Sequence, residues 1–396
     1  MVAFEALQDF IPLYPLYQLL FADHGLSAAQ ISMLFVIWST TAFVLEVPSG
    51  AWADTYSRRK LLVLGALLGA VGYAAWITLP SFAGFALGFV FWGTSSALIS
   101  GTFEAFVYDE LAARDRTDRY ARLLGFARSA SFLTNLAATT LATPLFDLGG
   151  YTLAGIVSVL SCLVQALVAW SLPEAQPVET ARESDEPGAK AAFTNYLGML
   201  RSGVTEVLTN RLVRRAVALV ALLGGFLAFD EYFPLLAREA GAATGAIPLL
   251  IAGTVAAQAI GGALAGPAYK LPAAVFAIGL AVTAVLIAGG SLSRSAWGFL
   301  PIAIGYGVMQ LVIVVSEARM QDAITGPARA TVTSVSGFFA EVFAVAVYAG
   351  FAVGSVWFSM AVLVAGLTIP VVLTAVVVPF ALPAAGRRRE ARGQGR

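Results

Sequence analysis

Apolar runs of about twenty residues, separated by short polar breaks, recur along nearly the whole of this sequence. A helix needs about 20 mainly apolar residues to cross the hydrocarbon core of a bilayer, which is roughly 30 Å thick. Such runs fall near 4–22, 31–52, 61–79, 84–106, 121–145 and 151–171. After a polar stretch, six more fall near 213–237, 246–267, 271–290, 296–316, 330–352 and 355–381. They predict an all-α membrane protein of twelve transmembrane helices. Composition excludes the soluble alternative. Of the residues, 59% are hydrophobic and 12% charged, against roughly 45–50% and about 25% in soluble domains, so the excess must face lipid. The first run is the most interrupted, by Glu5, Asp9, Pro12 and Pro15.

The distribution of basic residues predicts orientation. With the N-terminus in the cytoplasm, Arg58, Arg59, Lys60, Arg114, Arg116, Arg119, Arg122, Lys270, Arg319, Arg329 and the Arg387-Arg388-Arg389 tail collect inside, and only Arg238 and Arg294 fall outside. That asymmetry follows the positive-inside rule and puts both termini in the cytoplasm. The opening Met1-Val2-Ala3-Phe4-Glu5 has no basic leader, so the chain is expected to begin directly in its first span. Lysine occurs only at positions 60, 190 and 270. Such an arginine bias suits a high-GC bacterial genome and hence a multi-pass protein of the bacterial cytoplasmic membrane.

The longest break carries Pro173, Pro177, Pro187 and an acidic run from Glu179 to Glu186. It divides the chain into an N-terminal six-helix bundle (1–172), a cytoplasmic linker (173–212), a C-terminal six-helix bundle (213–382) and a basic cytoplasmic tail (383–396). Within the linker, Tyr196, Met199, Leu200, Val204, Val207 and Leu208 recur at helical spacing, which suggests an interfacial amphipathic helix. The two halves repeat one another. Glu104-Ala105…Asp109 ends the fourth run and Glu317-Ala318…Asp322 the tenth; Asp9-Phe10-Ile11-Pro12 in the first answers Glu231-Tyr232-Phe233-Pro234 in the seventh. Gly50-Ala51-Trp52-Ala53 answers Gly262-Ala263-Leu264-Ala265. Three matches in order argue for a duplicated, pseudo-symmetric six-helix unit.

The sharpest motif stands between the second and third runs: Gly50-Ala51-Trp52-Ala53-Asp54-Thr55-Tyr56-Ser57-Arg58-Arg59-Lys60-Leu61. It resembles the signature of the major facilitator superfamily, glycine-x-x-x-aspartate-x-x-glycine-arginine-arginine/lysine, with Ser57 in place of the second glycine. Small residues let membrane helices approach closely, which would be the use of Gly50. Asp54, Arg58 and Arg59 then form a gating cluster, with Asp109 as the carboxylate an arginine would reach. The resemblance implies the major facilitator fold, two halves rocking about a midplane substrate site, and a cytoplasmic latch at this loop. The second half keeps no aspartate at the matched loop, so its latch should differ. The chain also looks similar to bacterial drug or metabolite:proton antiporter-like members. Their fifth-span glycine–proline motif is only partly kept here, in Thr143-Pro144 and Gly149-Gly150.

Ionisable groups inside spans are costly and so are candidates for function. Asp9, Asp230 and Glu231 are the proton-coupling candidates, while Glu46, Glu104 and Glu317 lie near span ends where snorkelling or pairing suffices. The substrate-cavity candidates are Tyr14, Trp38, Arg128, Asn135, Phe229, Tyr232, Gln258, Tyr306 and Gln310, because acids beside aromatic faces can hold an amphipathic cation. A single cysteine, Cys162, and a single histidine, His24, exclude a disulfide framework and a multi-histidine metal site. No metal, cofactor, nucleic-acid partner or enzymatic activity is expected. The reading is a monomeric secondary transporter whose partners are a small molecule, protons and the lipid bilayer, working by proton-coupled export. Nutrient import on the same fold is the alternative, and a membrane receptor or lipid scramblase is the alternative of another class.

Overall fold

The computed structural model of the chain describes residues 1–173, 210–324 and 329–385. The expected linker helix, the acidic run and the arginine tail lie outside the described residues, as does the side chain of Asp54. The chain forms two compact units, Met1–Tyr196 and Leu197–Arg396. The first contains α1 (Val2–Gln8), α2 (Tyr17–Asp23), α3 (Ala28–Thr55), α4 (Arg58–Thr78), α5 (Phe82–Ala112) and α6 (Tyr120–Ser171). The second contains α7 (Arg211–Gly225), a 3-10 segment (Phe226–Tyr232), α8 (Phe233–Glu239), α9 (Ile247–Ala268), α10 (Ala273–Leu292), α11 (Phe299–Ala323), α12 (Arg329–Gly354) and α13 (Met360–Ala381). No strand occurs among the described residues.

Ten helical stretches among the described residues are long and apolar enough to cross a membrane. Two physical details reconcile that number with twelve runs. The first run is split into α1 and α2, of 7 residues each, around Pro12 and Pro15. Proline removes a backbone donor and clashes with the preceding turn. The fifth and sixth runs join in α6, which turns at Gly149 and Gly150. Gly150 has φ of +61°, a left-handed conformation that glycine adopts without a Cβ clash.

Side-chain oxygens cap the starts of several helices. Ser27 and Gln30 form a reciprocal capping box on α3, Ser81 accepts from Gly84 N at 3.2 Å on α5, and Asn210 accepts from Leu212 N at 3.1 Å on α7. Each satisfies an amide that the helix leaves without a partner. In the first unit α4 packs on α5 and α6, α3 on α5, and α1 on α6. In the second, α9 packs on α11, α10 on α11 and α13, and α7 on α12. The α9–α11 crossing is closest at paired glycines: a Cβ on Gly261 would sit 2.0 Å from Gly307 O. Phe4, Leu62, Ile99, Phe103, Phe106, Val107 and Ala169 make a buried cluster in the first unit. Leu167, Val285 and Phe380 are exposed on helix flanks, where lipid is their natural solvent.

Candidate functional site

Asp9 caps the C-terminal end of α1, at the point where the first membrane helix breaks. Its carboxylate accepts a hydrogen bond from the Ser131 hydroxyl of α6. The surrounding backbone is satisfied by polar side chains of the same helix. Leu13 N donates to Ser158 Oγ at 3.0 Å, Ser161 Oγ donates to Leu7 O at 3.1 Å, and Gln165 Nε2 donates to Phe4 O at 3.3 Å. Thr134 Oγ1 donates to Ala6 O at 2.7 Å. A broken helix survives in a bilayer only when neighbours meet its freed polar groups. At the far end of α2, Asp23 accepts from the Tyr151 hydroxyl.

The seventh membrane helix changes character at Gly225, where α7 gives way to the 3-10 segment that carries Asp230 and Glu231. Pro234 then sits in the first turn of α8, where its missing N–H costs no helical bond. Glu231 is 5% exposed and lies beside Asp230 and Tyr348. The Tyr306 hydroxyl donates to Leu227 O at 2.9 Å and lies next to Asp230. Tyr232 stacks on Phe351 with centroids 3.6 Å apart. Phe229 packs on Phe226, and Phe229, Tyr232 and Tyr306 are fully buried. The C-terminal end of α8 is tied to α13: Met360 N and Ala361 N donate to Glu239 at 2.7 and 3.3 Å.

A second group of aromatics lies in the first unit. Trp38 and Trp92 stack at 4.8 Å and 9°, and Tyr14 meets Trp92 edge-on at 6.0 Å. Tyr14, Trp38, Asn135, Gln258 and Gln310 are all half-buried. Trp38 Nε1 and Gln310 Oε1 are buried atoms without a hydrogen-bond partner among the described residues. Arg128 pairs with Glu104 at 2.6 Å, both side chains substantially exposed.

At the motif loop, Arg58 forms an ion pair with Asp109. Its guanidinium also donates to Ala53 O at 3.2 Å and to Ala105 O at 3.0 Å. Arg58 thus links the end of α3, the start of α4 and the end of α5. Arg59 donates to Leu172 O at 3.3 Å and lies over the Trp170 ring. Ser57, the departure from the signature, caps α4 by accepting from Lys60 N at 3.2 Å. The close packing expected at Gly50 is not found: a Cβ there would meet nothing within 4 Å among the described atoms. The tight contacts lie elsewhere, as at Gly261 and Gly307.

The sequence model of the Major Facilitator Superfamily matches residues 1–347. The chain belongs to that superfamily. Among solved structures of this fold, a substitution variant of the nucleoside transporter NupG superposes with a TM-score of 0.74 at 11% identity, covering 96% of this chain and 98% of that one. A bacterial homolog of the human lysosomal transporter Spinster, inward-facing and unoccupied, gives 0.67 at 15%, covering 96% and 93%. A D-xylose-proton symporter gives 0.64 at 13%, covering 96% of each. Comparison with curated protein sequences found no match. Identities so low establish the fold alone. Membership of the superfamily, shown by the sequence model, makes the chain a multi-pass membrane transporter and not an enzyme.

Several residues of this geometry are absent from the sequence candidates: Ser131, Ser158, Ser161, Gln165, Glu239, Tyr348 and Phe351. One signal was available for three of them. Ser158, Ser161 and Gln165 recur at spacings of three and four, which places them on one face of an otherwise apolar helix.

Proposed function

We propose that this facilitator moves a small amphipathic molecule by alternating access, coupled to protons, with export as the direction. The observation that carries the reading is the position of its carboxyl groups. Asp9 stands at the break of the first membrane helix and Asp230 and Glu231 at that of the seventh, and discontinuous helices are where transporters build substrate and ion sites. A carboxyl group desolvated in one access state and wetted in the other holds its proton with different affinity in each. That difference couples a proton gradient to the conformational equilibrium. Trp38, Trp92 and Tyr14 supply flat apolar faces of the kind that suit an amphipathic substrate, with Arg128, Asn135, Gln258 and Gln310 as polar contacts. Arg58, Arg59, Asp54 and Asp109 form the latch, on the cytoplasmic side of the bacterial inner membrane with both termini. One chain suffices for the cycle.

The test begins with a thermal-shift screen of purified protein against cationic drugs, sugars, amino acids and organic acids. The compound that stabilises the protein is then followed in proteoliposomes, with ΔpH-driven flux and counterflow measured in the same preparation. Coupled export predicts accumulation against the direction of proton flow. Accumulation in the same direction as protons would make it an importer. Flux indifferent to a pH step would reject coupling. Loss of counterflow for every stabilising compound would leave a receptor or scramblase.

A further inference from the structure

In the second half no aspartate follows Gly262-Ala263-Leu264-Ala265-Gly266, and Lys270, in register with Arg58, is exposed, so the loop itself builds no buried latch there. Arg319 supplies one from another helix. It lies on α11 within Glu317-Ala318-Arg319-Met320-Gln321-Asp322, where the first half has Glu104-Ala105-Phe106-Val107-Tyr108-Asp109. The arginine therefore stands at the position of Phe106. It is 2% exposed, and every hydrogen bond it makes among the described residues goes to a backbone carbonyl. Nε donates to Tyr269 O at 3.1 Å, and Nη2 to Leu271 O at 2.6 Å and to Tyr269 O. Nη1 donates to Pro383 O at 3.3 Å. The guanidinium carbon lies 5.5 Å from the Tyr269 ring centroid and 5.1 Å from that of Phe276.

A buried charge costs several kcal/mol unless it is compensated (roughly, after relaxation). Here the compensation comes from helix ends. Tyr269 is the C-cap of α9 and Pro383 follows the end of α13, so Arg319 gathers the negative ends of two helices between two aromatic faces. Asp322, matched to Asp109, accepts from the Tyr269 hydroxyl at 2.6 Å. In the first half Arg58, at the start of α4, takes a carbonyl near the end of α3 and a carbonyl and the acid of α5. In the second, the arginine is on the helix that bears the acid, and it reaches back to the carbonyls that end α9. The acid meets a tyrosine of that same end. The three groups make the same connection with the cation on the opposite side.

We infer that Arg319 is the positioning residue of a second latch, taking the buried place that the exposed Lys270 does not fill, and that it sets the access equilibrium through the ends of α9, α11 and α13. The inference rests on the latch reading of Arg58 and Asp109, and the test separates the two. Full-length protein with Cys162→Ser, Asp118→Cys and Ala274→Cys is spin-labelled and reconstituted. The ratio of short to long label distances is then measured without substrate, together with the melting temperature. Arg58→Gln and Arg319→Gln should each change the ratio about tenfold, a coupling size common in allosteric proteins, and in the same direction. Arg319→Lys should change it less, because an ammonium keeps the charge but cannot span three carbonyls and two rings. Tyr269→Phe keeps both the ring and the carbonyl and should change it least. A merely structural role would lower the melting temperature and leave the ratio alone. If Arg58→Gln moves the ratio and folded Arg319→Gln or Arg319→Lys does not, the inference is overturned and the first latch stands. If neither position moves it, the latch reading falls and the inference with it. Should Arg319→Gln fail to fold, Arg319→Lys alone decides between these outcomes.

Discussion

The two broken membrane helices differ in where their backbone finds its partners. At the first break, two prolines, Pro12 and Pro15, leave the stretch from Asp9 to Leu16 without α-helix. The groups around it are met from outside, by Ser131, Thr134, Ser158, Ser161 and Gln165 of α6. At the second, Pro234 falls at a helix start and the chain keeps internal bonds by tightening into a 3-10 segment. Only the Tyr306 hydroxyl reaches in to a carbonyl there among the described hydrogen bonds. The number and placement of prolines thus decide how much polar lining neighbouring helices must provide. In the first half much of that lining serves the backbone. In the second, the acids themselves dominate the break.

That contrast can be broken most directly at the acids. Glu231→Gln should abolish ΔpH-driven accumulation while leaving counterflow partly intact, and Asp9→Asn should do the same. If both variants and Asp230→Asn still accumulate substrate against its gradient, coupling lies elsewhere and the two breaks are only structural. Next in size is Ser158→Ala. It strands the fully buried Leu13 N–H, which should cost about 1–3 kcal/mol in the unfolding free energy measured in detergent. A neutral result would mean that water can replace the hydroxyl at the first break. Tyr306→Phe at the second break should cost less, about 0.5–1.5 kcal/mol for one net hydrogen bond. A larger loss than that of Ser158→Ala would reverse the comparison. Smallest is Glu239→Gln, which keeps an acceptor at the start of α13 but removes the charge. About 0.3–1 kcal/mol is expected from the helix dipole, and it should vanish at high salt.

Much of the architecture was legible because the rules behind it are local. Bilayer thickness sets the length of each apolar run, so twelve crossings could be read without knowing any neighbour. Pro12 and Pro15 marked the first break, and the fused α6 was divisible at Gly149-Gly150. The ion pair of Arg58 with Asp109 joins two residues that repeat and motif had already singled out. Other parts were not legible. Gly50 matched a packing motif but meets nothing within 4 Å among the described atoms, because a small residue permits a close approach without enforcing one. Arg319 looked like one more inside arginine, since nothing along the chain shows that α11 faces the carbonyls ending α9 and α13.

By itself the sequence determined the helical class, the approximate lengths of the spans, their duplicated order and, through Pro12 and Pro15, the interruption of the first. Each of these follows from the solvation of a short segment in lipid or from the covalent geometry of one residue. Only the tertiary structure decided which polar group meets which broken backbone. Leu13 and Ser158 are 145 residues apart, and Arg319 and Pro383 are 64 apart. A hydrogen bond acts over about 3 Å, so its partner is fixed by how distant helices pack and not by anything near it in the chain.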